Sequence, residues 1–208
     1  MKLYDAMTPN SLRVKVVLAE KGIDMPREVV NVMGGGTRTP EFLAINSLGE
    51  LPVLELDNGE ILTETVAISR YLESLHPEPS LFGKTALEQA RIEMWNRRIE
   101  LHLFNSVGEY GRHTIPFFAD KVEQNAEYAA SKRRQADTIW KWLDGEFADG
   151  RPFAAGETFS IADVTGMAAM FVCQICQIEL SEEQVHATRW ANMLRNRPSF
   201  GQQFAEAA

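Results

Sequence analysis

The stretch Asn46-Ser47-Leu48-Gly49-Glu50-Leu51-Pro52-Val53-Leu54-Glu55-Leu56, followed by the turn Asp57-Asn58-Gly59 and then Thr63-Glu64-Thr65, decides how the first half of this chain folds. Pro52 opens a strand-like run and has no N–H to give to a sheet ladder, so it belongs at an edge or an exposed corner. Leu51, just before it, is left with backbone groups that can pair with an extended peptide. Glu64-Thr65 ends a second short strand and opens a helical pattern at Val66, Ile68, Tyr71, Leu72 and Leu75. The N-terminus of such a helix carries free N–H groups and positive partial charge, which hold carboxylates. The two features together suit a small anionic peptide.

Upstream, residues 2–6 read as a strand, and Pro9 onward as a helix with apolar positions at Leu12, Val14, Val16, Val17 and Leu18. Gly22, after Lys21, is its stop. A second strand is expected over 28–32, then the loop Gly34-Gly35-Gly36-Thr37-Arg38-Thr39 and a short helix from Pro40. No Lys-Ser or Lys-Thr pair follows the glycines, which rejects a P-loop. Strands over 53–56 and 61–63 and a helix to His76 complete a βαβαββα order, a small α/β domain.

Pro77-Glu78-Pro79-Ser80 breaks the last helix, so the expected domains are residues 1–77, a linker over 78–85 and an all-helical domain over 86–208. Long helical patterns run over 87–113 and 122–147, and no strand-period pattern appears there. Phe159-Ser160-Ile161-Ala162-Asp163-Val164 is a helix start with a mechanism: Ser160 and Asp163 can cap each other's backbone while Phe159 staples onto Val164.

A chain of 208 residues with 45% hydrophobic content can build one large core or two modest ones. No window approaches the roughly 18 unbroken apolar residues of a membrane span, and the chain enters directly on Lys2-Leu3-Tyr4, so a soluble cytoplasmic protein is expected. With 21 basic and 29 acidic residues the net charge is −8, which argues against broad nucleic-acid or anionic-membrane binding. Cys173 and Cys176 form a C-x-x-C, but they lie in the apolar run Val164, Met167, Met170, Phe171, Val172, Ile175 and Ile178, which reads as a buried helix. Thiols in mid-helix lack the N-terminal field that activates a redox pair, so two core cysteines are expected.

The Leu-Pro and Glu-Thr constellation resembles the glutathione-binding half of the cytosolic glutathione transferases, and the resemblance covers nearly the whole chain. It implies a thioredoxin-like N-terminal domain, a C-terminal helical bundle and a homodimer. It also implies a cis Pro52, with Leu51 bonding the cysteinyl backbone of glutathione, and a γ-glutamyl end held by Glu64 and Thr65. Arg38 matches the cation that takes the glycine carboxylate. Glu50 stands where Gln or Lys is common, and is expected to turn to Arg38 or to solvent. The Ser160 box is a folding signature of the same family. Glutathione is the implied co-substrate, and no metal is implied.

The family places a Tyr, Ser or Cys at the turn into the first helix, where this chain reads Met7-Thr8-Pro9-Asn10-Ser11-Leu12-Arg13. Thr8, Asn10 and Ser11 are therefore the candidate sulfur donors, and Thr8 is also the natural N-cap before Pro9. The run Arg97-Arg98-Ile99-Glu100-Leu101, with Tyr110, His113 and Pro116, is similar to an atypical fungal and bacterial subgroup lacking the usual residue. That resemblance implies a water activated at the helix N-terminus with help from a polar group such as His113. Met7, Tyr110, Ile115, Phe117, Phe118 and Phe171 are the implied lining for a hydrophobic electrophile between the domains. The implied activity is conjugation of the glutathione thiolate; disulfide or peroxide reduction at the same site and a non-catalytic glutathione-binding module are the alternatives.

Overall fold

The computed structural model describes residues 1–205. They divide into two compact units, Met1–Ser80 joined by the described residues from Gln202 on, and Leu81–Gly201.

In the first unit, strand β1 (Lys2–Asp5) leads into helix α1 (Pro9–Lys21). Thr8 caps α1, its Oγ accepting from Ser11 N–H at 3.2 Å, and Pro9 takes the first helical position, where a missing N–H costs nothing. Gly22 stops α1 in the left-handed region at φ 61. Strand β2 (Arg27–Val29), helix α2 (Pro40–Ile45), strands β3 (Val53–Glu55) and β4 (Ile61–Leu62) and helix α3 (Thr65–Leu75) follow. The sheet order is β2-β1-β3-β4, with β1 parallel to β2 and antiparallel to β3, and β4 antiparallel to β3. This is the expected βαβαββα domain, with β2 shorter than the expected 28–32. Val30 N–H still reaches Asp5 O at 2.8 Å, but Val32 N–H then turns back to Val30 O at 2.9 Å, which ends the ladder.

Strand alternation sets the layers. Tyr4 and its register partner Val53 share one buried cluster with Phe42 of α2 and Leu51, and Val30, Val32, Ile45 and Ile61 pack against it. Leu3 and its partner Leu54 are fully buried on the opposite face, and α1 packs with α3. Lys21 at the end of α1 is sealed from solvent against Glu73 of α3, and its Nζ also donates to the carbonyls of His76 and Pro79.

The second unit is helical. Helix α4 (Ala86–Arg98), a wide π-type segment (Ile99–Phe104) and helix α5 (Asn105–Arg112) form one run in place of the uninterrupted helix expected over 87–113. Helix α6 (Ala126–Glu146) starts four residues later than expected, because Asn125 adopts an extended conformation and caps Tyr128 N–H at 2.9 Å. Helices α7 (Ile161–Ile175) and α8 (Val185–Arg195) follow, and then α9 (Pro198–Ala205), whose residues from Gln202 on belong to the first unit. Helix α7 is buried from Ile161 to Cys173 and packs against α4, α5 and α8, the position of a bundle's central helix.

The capping box at Ser160 is present, and its acidic member does more than close it. Asp163 Oδ2 accepts from Ser160 N–H at 3.0 Å, and Oδ1 accepts from Ala154 N–H at 2.8 Å and Trp190 Nε1 at 2.9 Å. Burial raises its carboxyl above the ordinary aspartate value, against the pull of those donors. Among the described residues, no helix is long and apolar enough to cross a membrane.

Candidate functional site

Sheet topology brings the candidate glutathione-binding residues to one end. Because β3 runs against β1, its start at Val53 lies beside the exit of β1, opposite Tyr4. Because β4 runs against β3, its exit toward Glu64 lies at that same end, and parallel β2 delivers the Arg38 loop there as well. Two helices, α1 and α3, therefore begin where Leu51 enters the sheet.

The Leu51-Pro52 peptide bond is cis. Leu51 is itself buried, and neither its N–H nor its C=O has a hydrogen-bond partner among the described residues. A pair of main-chain groups at the sheet corner is thus open to an extended ligand. The loop that delivers Leu51 is held by Asn46, whose Nδ2 donates to Glu50 O at 2.9 Å while Oδ1 accepts from Leu48 N–H at 3.2 Å. Asn46 has no role in the sequence reading. Its signal is a buried asparagine three residues before a glycine, where side-chain amides commonly replace missing turn bonds.

Glu64 is the residue before α3, at φ 65 and ψ 119, a region that a non-glycine residue occupies at a cost on the order of 1–3 kcal/mol. Its side chain is exposed and caps nothing. Thr65 is buried at the first helical position, its carbonyl accepting from Ser69 Oγ at 2.6 Å and its hydroxyl unpartnered among the described residues. The start of α3 thus offers a hydroxyl, an exposed carboxylate and uncapped amides, a set able to hold both the amino and carboxylate groups of an α-amino acid.

At α1, the donors of the first turn can be counted. Pro9 has no N–H, Ser11 N–H goes to Thr8 Oγ, and Leu12 N–H goes to Thr8 O at 2.9 Å. What remains among the described residues is the Asn10 N–H and side-chain amide and the hydroxyl protons of Thr8 and Ser11, since each of those hydroxyls spends only a lone pair, on Ser11 N–H and Ala6 N–H respectively. Ser11 is fully buried and its Oγ accepts from Ala6 N–H at 3.3 Å, bracing the turn. Asn10 is exposed.

Arg38 is exposed and donates Nη1 to Leu48 O at 2.9 Å. Glu50 faces solvent and forms no ion pair with Arg38 among the described residues. Met7, in the same unit, is 38% exposed.

In the second unit, His113 closes α5. Its Nδ1 accepts from Asn125 N–H at 3.1 Å, Nε2 lies 3.8 Å from Glu109 Oε2, and its ring meets Tyr128 edge-on at 4.8 Å. A backbone amide can only donate, so the neutral ring carries its proton on Nε2 and can donate there but not accept. Tyr110 and Ile115 are half-buried, as are Phe117 and Phe118, whose rings meet edge-on at 5.0 Å. Phe171 is buried on α7. Cys173 is buried and Cys176 half-buried, both as free thiols, and burial pushes Cys173 up to about 12. Neither sits at a helix start.

A small mixed sheet with an open corner at a cis proline, joined to an all-helical unit, defines a thioredoxin-like protein of the glutathione transferase fold. The glutathione S-transferase N-terminal domain family matches residues 3–80, and the C-terminal domain family matches residues 108–198. Glutathione S-transferase 2 of Saccharomyces cerevisiae is 37% identical over 204 residues, covering 96% of this chain and 87% of its own length. The crystal structure of Gtt2 from Saccharomyces cerevisiae aligns with a TM-score of 0.90 at 36% identity, over 97% of this chain and 99% of that one. A glutathione S-transferase domain-containing protein of Marinobacter aquaeolei VT8 also aligns at 0.90, with 34% identity over 96% and 100% of the two chains. The chain belongs to the glutathione S-transferase family, whose co-substrate is glutathione.

Proposed function

We propose that this chain transfers the thiolate of glutathione to hydrophobic electrophilic small molecules. The carrying observation is the unpaired Leu51 backbone at the same sheet end as the uncapped start of α3. In this reading Leu51 pairs with the cysteinyl backbone, Glu64 and Thr65 hold the γ-glutamyl end, and Arg38 takes the glycine carboxylate. Pro52 shapes the corner, and Glu50 stays in solvent. Thr8 donates to the sulfur, with the Asn10 N–H beside it. His113 is a donor that can orient a water, while Ser11 braces the turn. Tyr110, Ile115, Phe117 and Phe118, half-buried in the helical unit, supply apolar surface for the electrophile. Exposed Leu87 and Met94, seven apart on α4, support a homodimer.

Three measurements test the reading: glutathione binding by calorimetry, conjugation of a chloronitrobenzene acceptor, and turnover of a small disulfide. Binding with conjugation is expected. Binding with disulfide turnover alone selects the reductase, and binding with neither selects a non-catalytic module. No heat at millimolar glutathione rejects the site.

A further inference from the structure

Gly49 is buried at φ +62, and two separate constraints meet there. A side chain at that φ is strained for any L-residue. A Cβ would also fall 2.5 Å from Arg38 Nη1, 3.1 Å from Arg38 Cζ and 2.7 Å from Thr37 O. The guanidinium therefore lies directly across the glycine's α-carbon, where Nη1 reaches Leu48 O at 2.9 Å. One arm of the fork is spent on that carbonyl. The other N–H groups have no partner among the described residues, and a guanidinium held flat by one arm presents the rest in a fixed plane suited to a carboxylate.

We propose that Gly49 is the positioning residue for Arg38, and that by seating the guanidinium over the loop leading into Leu51 it selects ligands with a carboxylate beyond the cysteinyl residue. This rests on the reading that Leu51 pairs with the cysteinyl backbone of glutathione. Gly49 touches no ligand; it acts through Arg38. A methyl group at 49 must displace the guanidinium, the Thr37 carbonyl or both, and the carbonyl belongs to the backbone and cannot swing away as a flexible side chain can.

The experiment compares two ligands, glutathione and γ-glutamylcysteine, which lacks the terminal glycine. Each is titrated by calorimetry into wild type, Gly49→Ala, Arg38→Ala and the double variant. Gly49→Ala and Arg38→Ala are each expected to weaken glutathione by about tenfold or more, the scale of a lost hydrogen bond to a charged group, with γ-glutamylcysteine kept within about twofold. Since both act through one guanidinium, the double variant is expected to match Arg38→Ala within about twofold. Losses that multiply, or that fall equally on both ligands, overturn the inference while leaving the glutathione reading intact. A wild type that binds neither ligand overturns both. If Gly49→Ala does not fold by circular dichroism, Arg38→Lys decides. It keeps the charge and loses the planar fork, so the same selective loss is expected, and full affinity for glutathione overturns the inference.

Discussion

Replacing Thr65 with valine removes one hydroxyl and little else. The two side chains have nearly the same shape and similar helix propensities, and the hydroxyl makes no bond within the protein among the described residues, so no protein donor or acceptor is orphaned. The carbonyl that accepts from Ser69 Oγ is backbone and survives the exchange. Stability is therefore expected to hold, with Tm shifted by less than about 3 °C. Binding is different. If the hydroxyl contacts the charged γ-glutamyl end, its loss is the loss of a hydrogen bond to a charged group, about 1.5–3 kcal/mol, which at about 1.4 kcal/mol per decade raises Kd about tenfold to a hundredfold. Calorimetry with glutathione on Thr65→Val and Thr65→Ser separates hydroxyl from methyl: serine is expected to stay within about threefold of wild type. A Thr65→Val protein that binds glutathione as wild type does would refute the contact and with it the assignment of the γ-glutamyl end to α3.

Two further predictions concern the helical unit. Gly166→Ala places a methyl group 2.4 and 2.6 Å from Trp190 Cη2 and Cζ2, and that ring is pinned by its bond to Asp163. It is expected to destabilise by about 1–3 kcal/mol in urea denaturation even after alanine's helix preference of up to about 1 kcal/mol is counted. An unchanged midpoint would mean that α7 and α8 yield freely. Cys173, held up to about 12 by burial against 9.0 in the unfolded chain, is neutral in both states at lower pH, so its contribution to stability is fully present below about 9 and lost as pH climbs toward 12. Iodoacetamide near neutral pH is expected to leave it unlabelled in the native protein and to label it in urea, and fast native labelling of Cys173 would revive a redox role for the C-x-x-C.

The parts legible in the sequence are those whose cause is local. Thr8-Pro9 caps a helix, Gly22 stops one, Ser160 and Asp163 close a box, and Leu51-Pro52 and Glu64-Thr65 mark open backbone at strand and helix boundaries, each within a few residues. The π-type turn at Ile99–Phe104 was not legible, because a single wide turn shifts the apolar stripe too little to register against a 3.6-residue period. The late start of α6 has a distant cause: the Asn125 N–H is taken by His113, twelve residues earlier, which holds Asn125 extended as the cap. Arg38 could be nominated by its place after the second strand, but its seat on Gly49 depends on two loops that are brought together by the pairing of β1 with both β2 and β3. Pairings of that range leave no trace in local composition.

In the proposed reaction, thiol activation reduces to an energy comparison at α1. A free thiol near pKa 8.5 needs about 2.7 kcal/mol of preferential thiolate stabilisation to drop two units. A partly buried helix N-terminus supplies up to about 2 kcal/mol and one hydrogen bond to a charged acceptor about 1.5–3, so the helix alone falls short and one donor completes it. Proline at the first position and the Ser11 N–H committed to Thr8 leave that turn few amides, so the proposed reading puts the weight on the Thr8 hydroxyl proton, ahead of the Asn10 N–H and side-chain amide and the buried Ser11 hydroxyl. Thr8→Ala is accordingly expected to raise the bound thiol's pKa by about one to two units, lowering kcat at neutral pH while leaving glutathione affinity nearly unchanged, with the rate recovering as pH rises. Loss of the N-cap alone would lower stability by about 0.5–2 kcal/mol without moving the pH profile, and Thr8→Ser restores both hydroxyl and cap. A Thr8→Ala enzyme with an unshifted pH–rate profile would transfer the role to Asn10 N–H and the helix field, or to a water.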